Sequence, residues 1–513
     1  LTARDYLDYE VKHSEVLGRY LVAAKNLRAG EVILSDRPFV LGPSSDSSFV
    51  CFNCYRPLIN KFFVCKKCAV APICPGDGCP DELTKWHVQT ECDYLREVKL
   101  NKGLNPIQMV PNVGSLLPFR AMLRRDKTVK EWEQFMMLET HLDKKRDSSM
   151  LDYYENTVKF IDLIGLIKNE SDSELVRKIC AAIDVNSFEV RGPPIPGIGC
   201  AEVLRGVYLQ AALLAHDCTP NTQIAINDNN VLVCNATTDI KKGDVIYYNY
   251  TDPLKGTAIR QQHLSIGKYF QCTCKRCCDV TELGSFISSA LCPACKTGYA
   301  SKSGDVWECH SCKNKVDDSV LGYKVQCCSD KLASINKKDE KELEEYIRNV
   351  SLVLAPSHYL LLDAKQRLAG VLRDAIHREP KPTKKMMRRK LELCRELLAV
   401  LEILCTGMNR TKAITMYELH ASIQQLGKKL FDAREINAQK YCDELIESEK
   451  HLKRSIEMLL IEPGNSPEGE LCSRALEEYR ILKDTRSKLL ENINEEGKVY
   501  ITEVDDESLN DVD

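Results

Sequence analysis

Net charge is nearly absent from this chain. Its 71 lysines and arginines face 74 aspartates and glutamates, a formal balance of −3 at pH 7. No overall basic field points to nucleic acid, which argues against a zinc-rich DNA-binding regulator. Long apolar runs are missing too. No stretch of about eighteen uninterrupted apolar residues occurs, so no membrane span is expected. The opening LTARDYLDYEVKHSE is too charged for a signal peptide, while the lack of an initial Met leaves a removed leader open. What is there suits a soluble globular protein: 44% hydrophobic and 28% charged residues. At 513 residues the chain exceeds a single core, and three or four structural units are expected.

Cysteine is abundant, with 25 residues. Many fall in C-x-x-C pairs, which in a chain this large suit zinc better than a disulfide framework. A reducing compartment, cytoplasm or nucleus, follows. Between Cys51 and Cys92 four pairs succeed one another: Cys51 and Cys54, Cys65 and Cys68, Cys74 and Cys79, His87 and Cys92. Eight soft ligands fill two tetrahedral sites, because short spacings let two ligands of one turn reach a single ion. Farther on, Cys292, Cys295, Cys309 and Cys312 have the spacing of a zinc ribbon. His310 beside them reads as an exposed bystander. The triplet Cys272, Cys274, Cys277 is one ligand short of a tetrahedron, and the adjacent Cys278 is one way to complete it. Other cysteines, such as Cys180, Cys394 and Cys405, lie in apolar segments and read as core.

The order of the first cluster resembles the MYND zinc finger, with Trp86 and PDELTKWH matching its last helix. The last two ligand spacings are each one residue longer than the usual pattern. The ligand pairs of that family interleave. The resemblance therefore implies one zinc on Cys51, Cys54, Cys74 and Cys79, and another on Cys65, Cys68, His87 and Cys92. Such fingers bind proline-rich peptides or support a neighbouring domain. Around the finger, VLGRYLVAAKNLRAGEVILSDRPFV (residues 16–40) and NVLVCNATTDIKKGDVIYYNYTD (residues 230–252) each read as strand–turn–strand. Together with AHDCTPN these segments resemble a SET domain, through Gly18-Arg19, the His216–Cys218 loop, and Gly243-Asp244 leading to Tyr250. A MYND finger inserted after the first SET strands is the arrangement of the SMYD family, and the chain is identified as a divergent member.

That resemblance implies an α+β fold: a SET β-fold in residues 1–50 and 93–252 around a MYND finger in 51–92. A post-SET zinc segment follows in 253–284, then the ribbon-like insertion in 285–320. It makes Cys218 the fourth ligand beside Cys272, Cys274 and Cys277. Residues 321–513 carry apolar positions at three- and four-residue spacing and read as six or seven amphipathic helices in antiparallel pairs. They resemble the tetratricopeptide-like C-terminal domain of SMYD proteins, although no clean 34-residue repeat is visible. The basic run KKMMRRK reads as a solvated helix face, and the final EVDDESLNDVD as disordered. No flexible linker stands after the ribbon, so these helices are expected to pack on the SET lobe.

The implied activity is methyl transfer from S-adenosylmethionine to an exposed lysine of a histone or another protein. Zinc is a structural cofactor. A lysine amine at pH 7 is neutral only at a cost of about 4.6 kcal/mol unless the site lowers its pKa, as an apolar channel does. The family's catalytic tyrosine falls on Tyr250, and its second channel aromatic on Tyr269. Phe188 matches a wall residue. Cofactor contacts transfer to Leu17, Gly18, Arg19, His141, Ala215, His216, Tyr269, Phe270 and Gln271. Three positions depart from the pattern. Ala215 replaces an asparagine amide, Tyr20 stands where a glycine is usual, and Leu17 replaces a basic or polar residue. Tyr20 adds bulk near the cofactor path and resists a positive φ. The competing reading is an adaptor that has lost methyl transfer and binds partners through its finger and helices.

Overall fold

The computed structural model describes residues 8–58, 62–74, 86–144, 146–194 and 201–507. Four strands open the chain: β1 (Tyr9–Ser14), β2 (Gly18–Ala23), β3 (Val32–Asp36) and β4 (Val40–Pro43). The finger segment holds the short pair β5 (Phe63–Val64) and β6 (Pro72–Ile73). Helices α1 (Trp86–Thr90), α2 (Cys92–Lys102), α3 (Leu116–Arg124), α4 (Val129–Met136), α5 (Ser148–Leu163) and α6 (Glu170–Asn186) come next. The SET strands resume with β7 (Ser187–Pro194), β8 (Ala201–Val207), β9 (Ala215–His216), β10 (Thr222–Ile226), β11 (Leu232–Ala236) and β12 (Tyr247–Tyr248).

Small sheets with long-range partners build this half. β1 and β2 pair antiparallel across a turn in which Gly18 sits at φ 63°, a conformation glycine takes without strain. β3 does not pair with β2. It joins β11, which pairs in turn with β10, while β4 joins β8 and β7. The two strands read together in residues 16–40 thus lie in different sheets. β12 runs parallel to β9 and sets Tyr248 beside His216. One apolar core unites these sheets with the finger and helices, through Leu21, Leu34, Phe52, Leu95, Phe119 and Leu204. Cys180 lies in it, as its apolar surroundings in the sequence imply.

After α7 (Thr257–Gly267) and α8 (Lys275–Cys278), a four-stranded antiparallel sheet forms the ribbon: β13 (Ala290–Leu291), β14 (Tyr299–Ser303), β15 (Val306–Cys309) and β16 (Lys315–Asp317). His310 is not exposed there. Its Nε2 lies 2.8 Å from Ser301 Oγ, and its ring packs 5.4 Å from that of Phe286. Helix α9 (Asp318–Ser334) begins directly after β16, with the Asp317 side chain accepting from the Ser319 N–H. Cys328 therefore lies within the first helix of the C-terminal third.

Six more helices follow among the described residues: α10 (Glu340–Val350), α11 (Tyr359–Arg378), α12 (Lys384–Leu404), α13 (Arg410–Asp432), α14 (Ala438–Leu459) and α15 (Pro467–Glu507). Asp339, Thr383, Asn409 and Asn437 cap four of them by accepting backbone N–H groups of the first turn. Cys394 and Cys405 lie in their apolar cores. The basic run is less solvated than its charge implied. Lys384 pairs with Glu435, Arg389 with Glu344, and the buried Lys390 with Glu418. The acidic end is helical as far as Glu507, and 508–513 lie outside the described residues. The third docks on the SET strands. Glu462 accepts from Arg410 and from the Gln223 side chain of β10, both at 2.7 Å, and Arg191 of β7 reaches Glu468 at 3.3 Å.

Candidate active site and metal centres

Among the described residues, four groups of cysteines gather in space. Cys65, Cys68, His87 and Cys92 form one, Cys218, Cys272, Cys274 and Cys277 a second, and Cys292, Cys295, Cys309 and Cys312 a third. Cys51, Cys54 and Cys74 form the fourth, and the expected partner Cys79 lies outside the described residues. Within each group the ligand atoms lie within 4.8 Å of one another. A tetrahedral zinc with bonds of roughly 2.3 Å to sulfur holds its sulfurs about 3.8 Å apart. Cys65 and Cys92 are 3.8 Å apart, Cys218 and Cys277 3.5 Å, and Cys295 and Cys309 3.8 Å. Donor type and spacing fit zinc, and the donor number is four in three of the sets. Cys278, the alternative fourth ligand, is exposed and outside the second set.

Buried charges behind two of these sets escaped the sequence reading. In the finger, the His87 Nδ1 lies 3.0 Å from Glu91, which leaves Nε2 facing Cys68 at 3.5 Å. Glu91 and Arg120 are both fully buried and joined at 2.7 Å. Arg120 also donates to the carbonyls of Leu41 and Phe52, bolting the finger to β4. Burial alone raises the Glu91 carboxyl, but Arg120 and His87 hold it below its usual range. In the tail set, Arg260 Nε donates to Cys218 Sγ at 3.2 Å and its Nη2 to Cys277 Sγ at 3.4 Å. Glu282 neutralises Arg260 and Arg276 from behind, at 2.7 and 3.0 Å.

Cys218 ties the tail set to a large cavity of about 1590 Å³. Segments distant in the sequence line it. The β1–β2 turn gives Leu17, Gly18 and Arg19; the end of α6 and start of β7 give Val185 and Phe188. The loop through β9 gives Ala215 and His216, and the segment after α7 gives Phe270 and Gln271. His141 and Tyr250 line it as well. His216 is held by both ring nitrogens. Its Nδ1 accepts from the Tyr250 N–H at 3.0 Å, so Nε2 carries the proton and faces Cys218 Sγ at 3.4 Å. Burial pulls His216 down to about 4, so the imidazole is neutral. The Tyr250 hydroxyl donates to the Leu214 carbonyl, and its ring lies 5.0 Å from that of His216.

Two expectations change. Tyr269 does not line the cavity. At φ 59° its ring turns out onto His141, 5.5 Å away, and the Arg146 guanidinium, 5.2 Å away. The preceding residue, Lys268, enters instead. Its ammonium donates to the Val185 carbonyl and lies 5.1 Å from the centre of the Tyr250 ring. Burial, with Arg205 nearby, pulls Lys268 down to about 8. The second change concerns Tyr20. It pairs with Lys12 in regular β-strand, has no positive φ, and is not among the cavity-lining residues. The positive φ belongs to Gly18 alone, so Tyr20 imposes neither of the obstacles expected of it. Ala215 does line the cavity and offers no side-chain hydrogen bond there.

Comparison with known proteins places this geometry. A family model for the SET domain matches residues 18–251. The SET domain-containing protein SmydA-8, isoform A, of Drosophila melanogaster is 26% identical over 428 residues, covering 80% of this chain and 88% of that protein. Histone-lysine N-methyltransferase ASHR1 of Arabidopsis thaliana is 24% identical over 411 residues, covering 75% and 80%. Histone-lysine N-methyltransferase SMYD1 of Homo sapiens is 23% identical over 289 residues, covering 52% and 55%.

Proposed function

Since the chain is a SET-domain protein related to the SET and MYND (SMYD) family, we propose that it is a protein-lysine N-methyltransferase using S-adenosylmethionine. One observation carries this reading: a single cavity gathers Gly18, Arg19, His216 and Tyr250 from segments far apart in the sequence. When bound, the cofactor supplies a methyl group on a sulfonium. Gly18 admits close approach of backbone to that ligand. We assign Arg19, His141, Phe270 and Gln271, which line the cavity, to hold it. His216 is neutral and fixed at both nitrogens, so it adds no charge beside a cationic sulfonium. Tyr250 and Phe188 wall the acceptor end, where an apolar surface favours the neutral amine. Four zinc ions hold the frame, the one at Cys218 bracing the loop that carries His216.

We place the protein in a reducing compartment, cytoplasm or nucleus, because its thiol sets require one. No helix among the described residues is long and apolar enough to cross a membrane. The finger is the surface we assign to a proline-rich peptide partner. Labelled methyl transfer to core histones and to a protein extract tests the activity, with Tyr250→Phe as control. Transfer is expected to disappear in the variant while cofactor binding persists, since the ring and its contacts remain. A variant as active as the parent overturns the role of Tyr250. The second reading, an adaptor without transfer, draws on Ala215 and on the ammonium of Lys268 inside the cavity. Wild-type protein that binds no cofactor favours it.

A further inference from the structure

Several charged side chains line the cavity, and the methyl-transfer reading leaves Lys268 among them without a role. Lys268 caps the C-terminus of α7 and sends its ammonium inward, between the Val185 carbonyl and the Tyr250 ring. Its acidic neighbour is already engaged: Asp184 holds Arg205 at 3.3 Å and accepts from the Tyr154 hydroxyl at 2.6 Å. Lys268 therefore rests on an aromatic face and a backbone carbonyl. Those are contacts that bind an ammonium without an opposing charge. They are also what the acceptor end of this cavity would offer to an incoming lysine before that lysine gives up its proton.

Resting on the function proposed above, we propose that Lys268 is a built-in occupant of the acceptor seat. The chain's own lysine head group fills the place beside Tyr250 that a substrate lysine's head group needs, and it thereby decides which acceptors enter. Two ammonium groups cannot share one carbonyl and one ring face. Admission of an external lysine requires that Lys268 swing out or lose its proton. The like charge is a repulsive element of the kind that sets specificity by exclusion. The seat itself needs no new residue, because Val185, Phe188 and Tyr250 already line it.

The test uses the full zinc-loaded chain and n-butylammonium, the lysine side chain as a free ion. Its binding is followed by calorimetry in the wild type, in Lys268→Met and in Lys268→Gln. Both variants keep much of the side chain's bulk and remove its charge. Binding is expected to tighten by about tenfold or more in both, as the repulsive occupant goes. S-adenosylmethionine affinity, measured alongside, is expected to stay within about twofold, since the change lies at the acceptor end. Equal n-butylammonium affinity in wild type and a zinc-replete variant overturns the proposal. That outcome is separate from failure of the cofactor reading, which shows as no cofactor binding in any of the three proteins. If Lys268→Met loses zinc or unfolds, Lys268→Gln decides alone.

Discussion

The finger set around His87 and the tail set around Cys218 are each backed by a buried arginine and a buried glutamate, in opposite order. In the finger the glutamate faces the ligand and Arg120 stands behind it. In the tail Arg260 faces the ligands and Glu282 stands behind. Charge explains the reversal. Zinc with three thiolates and a neutral imidazole carries about −1, and the ring N–H needs an acceptor. Zinc with four thiolates carries about −2, and buried sulfurs need donors. The ribbon is the contrast to both. Its Cys312 is exposed and the Cys295 sulfur accepts from the Gly298 N–H, so a backbone donor stands where the arginine does in the tail. Depth in the fold, as much as ligand type, decides how a metal set is braced.

The comparison breaks most visibly at Cys218. Cys218→Ser is expected to lower the zinc content by about one ion per chain and to free the segment around Cys272, because metal binding and local folding are one equilibrium. Metal analysis and limited proteolysis measure both. Unchanged zinc removes Cys218 from the tail set.

The braces come next in size. Arg260→Met and Glu91→Gln each strand a buried charge or ligand, and each is expected to cost about 3–5 kcal/mol in denaturant unfolding. Glu91→Gln should also weaken finger zinc by roughly 10–100-fold, the usual worth of a carboxylate behind a histidine ligand. A surface-like effect of either change, below about 1 kcal/mol, contradicts the claim that these pairs brace the metals.

Chelation sharpens the contrast with the ribbon. Graded chelator should remove zinc first from the set with the exposed Cys312 and last from the fully buried finger set of Cys65, Cys68, His87 and Cys92. Loss in the reverse order shows that burial does not govern retention.

A smaller effect lies in the helical third. His358 is fully buried, caps α11 through Nδ1, and has no partner at Nε2 among the described residues. Burial pulls it down to about 3 from an ordinary 6.5. A base whose folded pKa is depressed contributes full stability above the unfolded value and loses it as pH falls from about 6.5 toward 3, by about 1.4 kcal/mol per unit. His358→Asn, which keeps a capping side chain, should flatten the acid limb of stability against pH by one proton. Identical slopes in both proteins show that His358 does not titrate on unfolding.

Local features were legible in the sequence, and remote ones were not. C-x-x-C pairs announce themselves because both ligands sit in one turn. The helical character of the last third, read as six or seven helices, follows from three- and four-residue spacing, since each helix buries a stripe. The braces were invisible: Arg120 is 29 positions from Glu91 and Arg260 is 22 from Glu282. A lone charged residue in a sequence looks solvated until the fold buries it. Tyr269 sits apart from the cavity for a local reason. A positive φ at Tyr269 turns it away, and its neighbour Lys268 faces the cavity. Register by one residue decides such a site, and family resemblance at this distance does not fix it.

The central claim is that the cavity beside Cys218 is a cofactor cleft held in shape by a buried metal set. Calorimetric titration of S-adenosylmethionine into the zinc-loaded chain and into Cys218→Ser tests it most directly. One site per chain in the parent and none in the variant is the predicted result. No heat in the parent, or equal binding in both, contradicts it.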